Sequence, residues 1–212
     1  MKLKVIKLSE GIYPERDLIL SISKRLKNGE LGILPTDTIY GFHALYNCEK
    51  CVERIDLLKK RKGKNYLMLI DDYSFFEKYS VEFPPKIKKL CELYWPGQLT
   101  LLFKTDSDFP PWCKSPEGKI GVRMPNLPFL REIIKNCGVP LISTSVNESG
   151  EMPLTNVGEI IRRFGEKVDF ILDYGLLEIT APSTVLDVSS DDIKVVREGV
   201  IPSSVIEKFF RK

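Results

Sequence analysis

Ile33-Leu34-Pro35-Thr36-Asp37-Thr38-Ile39-Tyr40-Gly41 is a buried apolar run that stops at a proline and turns small and hydroxylated. Leu31 to Leu34 reads as a central strand, and Pro35 removes a backbone donor, so the chain must leave the sheet there. Thr36, Asp37, Thr38 and Tyr40 then place hydroxyls and a carboxylate on a loop just outside a strand's carboxyl end. Open α/β sheets bind ligands in that position. A plain turn with capping hydroxyls would leave the same residues, so this stretch needs support from elsewhere in the chain.

A second segment repeats the pattern. Strand Pro140 to Ile142 ends in Ser143-Thr144-Ser145-Val146-Asn147-Glu148-Ser149-Gly150. Ser143, Ser145 and Asn147 alternate, so in extended backbone they point to one side and form a polar shelf of three donors, suited to phosphate or carboxylate oxygens. An Asx or Ser turn ending at Gly150 is the structural alternative. Charge comes from a third segment, Lys59-Lys60-Arg61-Lys62, at a predicted helix end, where basic side chains also meet the helix dipole favourably. Arg123 and Arg197 each end a predicted strand, and an arginine beside a buried run usually has an anion to hold.

The rest of the chain alternates strands and helices. Strands are predicted at Leu3–Leu8, Tyr66–Ile70, Leu99–Phe103, Ile120–Arg123, Phe170–Leu172, Thr184–Val188 and Ile193–Val196. Helices are predicted from Pro14 to Gly29 and after Asn47 as a cap, and after Asp72. Others run over Pro84–Tyr94, Leu127–Asn136 and Val157–Phe164, with a last one from Pro202. This order implies an α/β fold on a twisted, open, mixed sheet with helices packed on it. No linker, low-complexity tract or repeat divides the 212 residues, so a single domain over 1–212 is expected.

Composition narrows the function. Apolar and charged fractions of 43% and 29% are those of an ordinary globular chain, and a formal charge of +3 does not announce a nucleic-acid protein. No run approaches the roughly 18 apolar residues of a membrane span and Met1 to Leu8 is no signal core, so the expected compartment is the cytoplasm, with no membrane. Five scattered cysteines fit a reducing compartment. Cys48 and Cys51 form a C-x-x-C without a second pair and are expected at a helix start, not around zinc. The single histidine, His43, removes most imidazole chemistry, so any catalysis should work by positioning and charge. No P-loop or G-x-G-x-x-G is present, so polyphosphate would need another cradle.

Taken together, P-T-D-T-I-Y-G at 35–41, K-K-R at 59–61 with Asn65, W-P-G-Q-L-T at 95–100 and V-R-M-P at 122–125 resemble the YrdC-like family. S-T-S-V-N-E-S-G at 143–150 and P-S-T-V at 182–185 continue the match in the family's order. The resemblance runs from about residue 10 to 202. It implies a concave basic surface where ATP, L-threonine and bicarbonate meet to give threonylcarbamoyl-AMP and pyrophosphate, for threonylcarbamoyladenosine in tRNA. It implies that Thr38, Arg123, Ser143 and Ser183 contact threonine or its carbamate. Lys59, Arg61, Asn65, Ser145, Asn147 and Arg197 would hold the nucleotide, with Lys59 and Arg61 acting in catalysis. No tightly bound cofactor and no metal held by protein side chains are implied, only Mg2+ carried with ATP. A downstream tRNA-modifying transferase is the implied partner, with tRNA or double-stranded RNA as further candidates.

Tyr66, Ile70 and His43 depart from the family pattern, standing where proline, histidine and glycine are common. G-K-N-Y-L-M-L-I is similar to the YciO branch, so the alternative is a YciO-type RNA- or nucleotide-binding protein without the synthase reaction. The carbamoyl-adenylate chemistry of the related hydrogenase-maturation domain is a third, weaker alternative. Only a short helix follows Arg197, so the extra C-terminal domain of longer members is not expected.

Overall fold

The computed structural model describes residues 4–8, 13–177 and 181–210. Leu3, the first residue of the expected first strand, lies outside them. The described strands are β1 (Lys4–Lys7), β2 (Gly32–Leu34), β3 (Gly41–Leu45), β4 (Leu67–Leu69), β5 (Leu99–Lys104), β6 (Lys119–Arg123), β7 (Leu141–Ser145), β8 (Phe170–Asp173), β9 (Thr184–Asp187) and β10 (Lys194–Arg197). They form one sheet in the order β1-β8-β2-β3-β7-β4-β6-β5-β9-β10. Parallel pairs (β1/β8, β2/β8, β4/β6, β5/β9) mix with antiparallel ones (β2/β3, β3/β7, β4/β7, β5/β6, β9/β10).

The helices are α1 (Arg16–Lys27), α2 (Glu49–Leu58), α3 (Ser74–Lys78), α4 (Pro85–Tyr94), α5 (Pro128–Cys137), α6 (Val157–Phe164) and α7 (Ser203–Phe210). Their ends follow local chemistry. Pro85 and Pro128 sit in first turns, where a missing N–H costs nothing, and α5 stops at Gly138 in left-handed backbone at φ 77°. Asn156 caps α6 by accepting from Glu159 N at 3.0 Å, a cap not foreseen in the sequence. The expected cap of α2, Asn47, is one residue early: Cys48 occupies that position without a side-chain bond to the helix's backbone amides.

Alternation along the strands decides where the core lies and where it does not. One face of the sheet, with Ile33, Phe42, Met68, Leu101, Val122 and Ile142, is buried under α2, α3, α4, α6 and Ile206 of α7. On the other face, α1 and α5 cover Leu34, Leu69, Leu141, Phe170 and Leu172. That second cover does not extend across β6, β5, β9 and β10. Gly121, Thr100, Leu102, Val185 and Val196 therefore face open space beside Leu67, Ser143 and Ser145.

Two differences from the sequence reading matter for the site. β3 was not expected as a strand, because Gly41 and His43 interrupt its apolar pattern; only Phe42 and Ala44 face the main core. β7 runs three residues past Ile142, to Ser145, because Ser143, Thr144 and Ser145 pair with His43, Phe42 and Gly41 of β3.

Candidate active site

The uncovered half of the sheet forms a cavity of about 620 Å³, within the size range of small-molecule sites. Thr38, Arg61, Asn65, Arg123, Ser143, Ser145, Asn147, Ser183 and Arg197 all line it. Lys59, the remaining residue singled out from the sequence, does not.

Arg123 leaves the end of β6 into a fully built pocket, 4% exposed. Its Nε donates to Gly97 O at 3.0 Å, Nη1 to Thr38 Oγ1 at 3.0 Å and Nη2 to Asp37 Oδ1 at 2.5 Å. Burial works against the guanidinium's charge and Asp37 opposes that effect. The anion that the sequence leads one to expect beside this arginine is present as a protein carboxylate, that of Asp37. A guanidinium has five N–H groups, so three such bonds leave one on each Nη.

The loops around Arg123 are shaped by the same short-range rules. Thr36 Oγ1 donates to Ile39 O at 2.8 Å, and accepts from the amides of Thr38 and Ile39. Its one proton is thereby committed, so the 2.8 Å contact between Thr36 and Thr38 runs from Thr38 to Thr36. At Trp95-Pro96-Gly97 a Cβ on Gly97 would lie 2.5 Å from Tyr94 O, so the turn that offers Gly97 O to Arg123 requires glycine.

The hydroxyl shelf exists, but it is not the row of free donors read from the sequence. Ser145 Oγ donates to Asn147 Oδ1 at 2.5 Å, and Asn147 Nδ2 donates to Glu148 O and Glu151 O, both at 2.8 Å. Ser143 Oγ lies 3.1 Å from His43 Nε2. Local carbonyls and neighbouring acceptors take these protons.

Lys59 explains why the shelf holds its shape. It is 2% exposed, and its ammonium donates to Ser145 O at 2.6 Å and to Asn147 O and Oδ1 at 3.0 Å. Three donors meet three acceptors, which ties the end of α2 to the loop after β7. Burial, with Arg61 adding to it, pulls its pKa down to about 8. The geometry thus makes Lys59 a strut behind the cavity wall.

Arg61, two residues on, stays in the cavity. Its guanidinium lies 5.0 Å over the Tyr66 ring, which places Tyr66 as a platform. Nη2 reaches Thr144 Oγ1 at only 3.4 Å, and the buried Nε has no partner among the described residues. On the far wall Arg197 donates through Nε and Nη2 to Ser183 O and, more weakly, to Ser183 Oγ, which also contacts Thr100 Oγ1 at 2.8 Å. Asn65 is exposed at the rim and donates to Pro111 O at 3.1 Å.

Sequence reasoning passed over Thr100 and Tyr66 as site residues, and read Asp37 only as a loop carboxylate. Thr100 carried a signal: it is the polar residue between Leu99 and Leu101, whose side chains face the main core, so it had to face away from it. Of the three acidic lining residues, Asp187 and Glu151 are paired with Lys119 and Arg163 at 2.6 Å, and Glu117 accepts from Ser115 Oγ at 2.6 Å. Among the described residues no group of three or more His, Cys, Asp or Glu could hold a metal ion, and no helix is long and apolar enough to cross a membrane. Cys48 and Cys51 do sit at the start of α2, with their sulfurs 2.6 Å apart.

The chain is 35% identical over 204 residues to a Methanocaldococcus jannaschii protein provisionally named a threonylcarbamoyl-AMP synthase, covering 95% of this chain and 96% of the relative. The structure of Pyrococcus abyssi Sua5 complexed with L-threonine superposes with a TM-score of 0.88 at 26% identity; the match covers 99% of this chain but spans 61% of that one. E. coli YciO superposes with a TM-score of 0.82 at 26% identity, covering 95% of this chain and 98% of that one. The Sua5, YciO and YrdC family model, described as telomere recombination, matches residues 24–199, and the chain belongs to that family.

Proposed function

We propose that the chain is a threonylcarbamoyl-AMP synthase, one domain over 1–212, joining ATP, L-threonine and bicarbonate and releasing pyrophosphate. The observation that carries this reading is the cavity itself. Three arginines, at 61, 123 and 197, converge on one hydroxyl-lined cleft of about 620 Å³. That arrangement suits a polyphosphate and an amino acid held side by side. The M. jannaschii relative carries the synthase name, and Sua5 was solved with L-threonine.

In this reading the amine of threonine condenses with bicarbonate to a carbamate, releasing water, and a carbamate oxygen displaces pyrophosphate from the α-phosphate of ATP. Arg61 and Arg197, with Asn65 at the rim, hold and neutralise the phosphates. The two N–H groups left on Arg123 take the carboxylate of threonine beside Thr38 and Ser183. Ser145 and Asn147 shape the nucleotide end and Lys59 holds them there. Alignment and charge neutralisation account for the catalysis. Mg2+ would travel on the phosphates, where it keeps most of its ligands from water and phosphate oxygens. The product would pass in the cytoplasm to a transferase that modifies tRNA.

The whole-length match to YciO favours a second reading, a binding protein that keeps the cleft without the reaction. One assay separates them: pyrophosphate release from ATP should require threonine and bicarbonate together. Release unchanged by omitting threonine, or none with both present, overturns the synthase reading.

A further inference from the structure

His43 is the chain's single histidine, fully buried on β3 directly opposite Ser143 of β7. Its Nδ1 lies 2.8 Å from the carbonyl oxygen of Gly41, and its Nε2 lies 3.1 Å from Ser143 Oγ. A carbonyl oxygen only accepts, so Nδ1 carries the ring's proton. Burial, and secondarily the charge of Arg123, hold the ring's pKa down to about 4 against the raising effect of the Gly41 carbonyl. Arg123, itself paired with Asp37, is the charged group whose field reaches the ring. The neutral ring therefore presents a bare lone pair at Nε2, and the 3.1 Å contact requires Ser143 to donate.

This contact is built into the fold. A Cβ on residue 41 would lie 2.7 Å from His43 Cε1 and 3.2 Å from both His43 Nε2 and Ser143 Oγ. Only the bare Cα of Gly41 lets the imidazole fold back along its own strand to reach both partners. Ser143 meanwhile lines the cavity. A serine hydroxyl has one proton and two lone pairs. With the proton committed to His43, only lone pairs face the cavity.

We propose that His43 is a positioning residue that locks Ser143 as a hydrogen-bond acceptor, so that this part of the cavity selects a ligand N–H group over a carboxylate or phosphate oxygen. The inference rests on the amino-acid reading above, under which that N–H belongs to the amino group of threonine. It places the amino group at Ser143 and leaves the carboxylate to Arg123, and it makes the site discriminate against acids of the same shape that lack the amine.

Two measurements test it. With 15N-labelled histidine, the single ring should show a neutral Nδ1–H tautomer unchanged from pH 8 to pH 5. An Nε2–H tautomer, or an imidazolium at pH 6, overturns the lock. Binding of threonine is then compared with that of 3-hydroxybutanoate, its deaminated analogue. Wild type should prefer threonine at least tenfold, and His43→Leu and Ser143→Ala should both reduce that preference severalfold while ATP affinity is retained. Both variants keeping the full preference overturns the proposal and leaves the amino-acid reading standing. A wild-type protein that binds neither compound overturns both.

Discussion

The serine shelf and the arginine corner share one cavity and are built in opposite ways. On the shelf, the protons of Ser143, Ser145 and Asn147 are directed at His43, Asn147 Oδ1 and two backbone carbonyls. At the corner donors exceed acceptors. Arg123 keeps two N–H groups, and Arg197 has Nη1 without a partner among the described residues. Anion affinity thus resides in the arginines, whereas the shelf supplies shape and lone pairs. A hydroxyl-rich loop and an arginine look equally like donors in a sequence, but only the arginine has more N–H groups than its surroundings can absorb.

Lys59 and Arg61 repeat that contrast two residues apart, and they give its strongest test. Lys59→Met leaves the carbonyls of Ser145 and Asn147 without their buried donor, which should cost about 4 kcal/mol in chemical denaturation, about 2 kcal/mol for each unsatisfied acceptor. Arg61→Ala should cost less than about 1 kcal/mol, since its bonds to protein are weak, yet lower ATP affinity at least tenfold. If Lys59→Met instead folds with unchanged stability and loses only ATP, Lys59 is a phosphate ligand and the strut assignment fails.

The buried ring of His43 gives the next largest effect. The folded protein binds its proton near pH 4, whereas the unfolded chain binds it near the ordinary value of 6.5. Between those values the unfolded state holds more protons, so the stability that the neutral ring contributes is complete above about pH 6.5 and lost as pH falls toward about 4. The loss should reach roughly 3 kcal/mol. His43→Leu should remove that part of the pH slope whatever its own stability. Equal slopes in the two proteins between pH 6.5 and 5 would mean that the ring titrates normally and donates to Ser143 for part of that range.

Arg123 tests the other side. Lysine keeps a charge for Asp37 but cannot also serve Gly97 O, Thr38 and a ligand carboxylate in a planar fork. Arg123→Lys should therefore weaken threonine at least tenfold, corresponding to about 1.4 kcal/mol, with ATP affinity little changed. Loss of stability with threonine affinity intact would make Arg123 a purely structural partner of Asp37.

Much of this was legible in the sequence because it depends on residue type and period. The strand ends at Leu34 and Arg123, the proline starts of α4 and α5, and the stop at Gly138 follow from local rules. The loops that line the cavity were legible too, since apolar runs that end in hydroxyls mark them. Partner choice was not. Lys59 reads as a surface cation at a helix end until the loop after β7 folds over it, and β3 was invisible because its glycine and histidine serve contacts across strands. His43 stood out as the single histidine and as a departure from the family pattern. Its role emerges from a residue 100 positions away.

Ser145 gives the smallest expected effect and the finest division between the two halves of the cavity. Its side chain sits on the cavity wall, where a phosphate oxygen could in principle take its proton, but that proton already reaches Asn147 Oδ1 at 2.5 Å. Lys59 Nζ holds the same oxygen at 3.0 Å, so removing the serine hydroxyl leaves Asn147 Oδ1 still partnered. Ser145→Ala should then cost only the net value of one hydrogen bond, about 1 kcal/mol, read as a small drop in unfolding midpoint. ATP affinity should change by less than about threefold, because the arginines carry the phosphates. A tenfold loss of ATP with unchanged stability would show instead that the hydroxyl turns to a phosphate when nucleotide binds. The middle of the shelf would then be a donor surface after all, and the contrast with the arginine corner would reduce to Ser143 and Asn147.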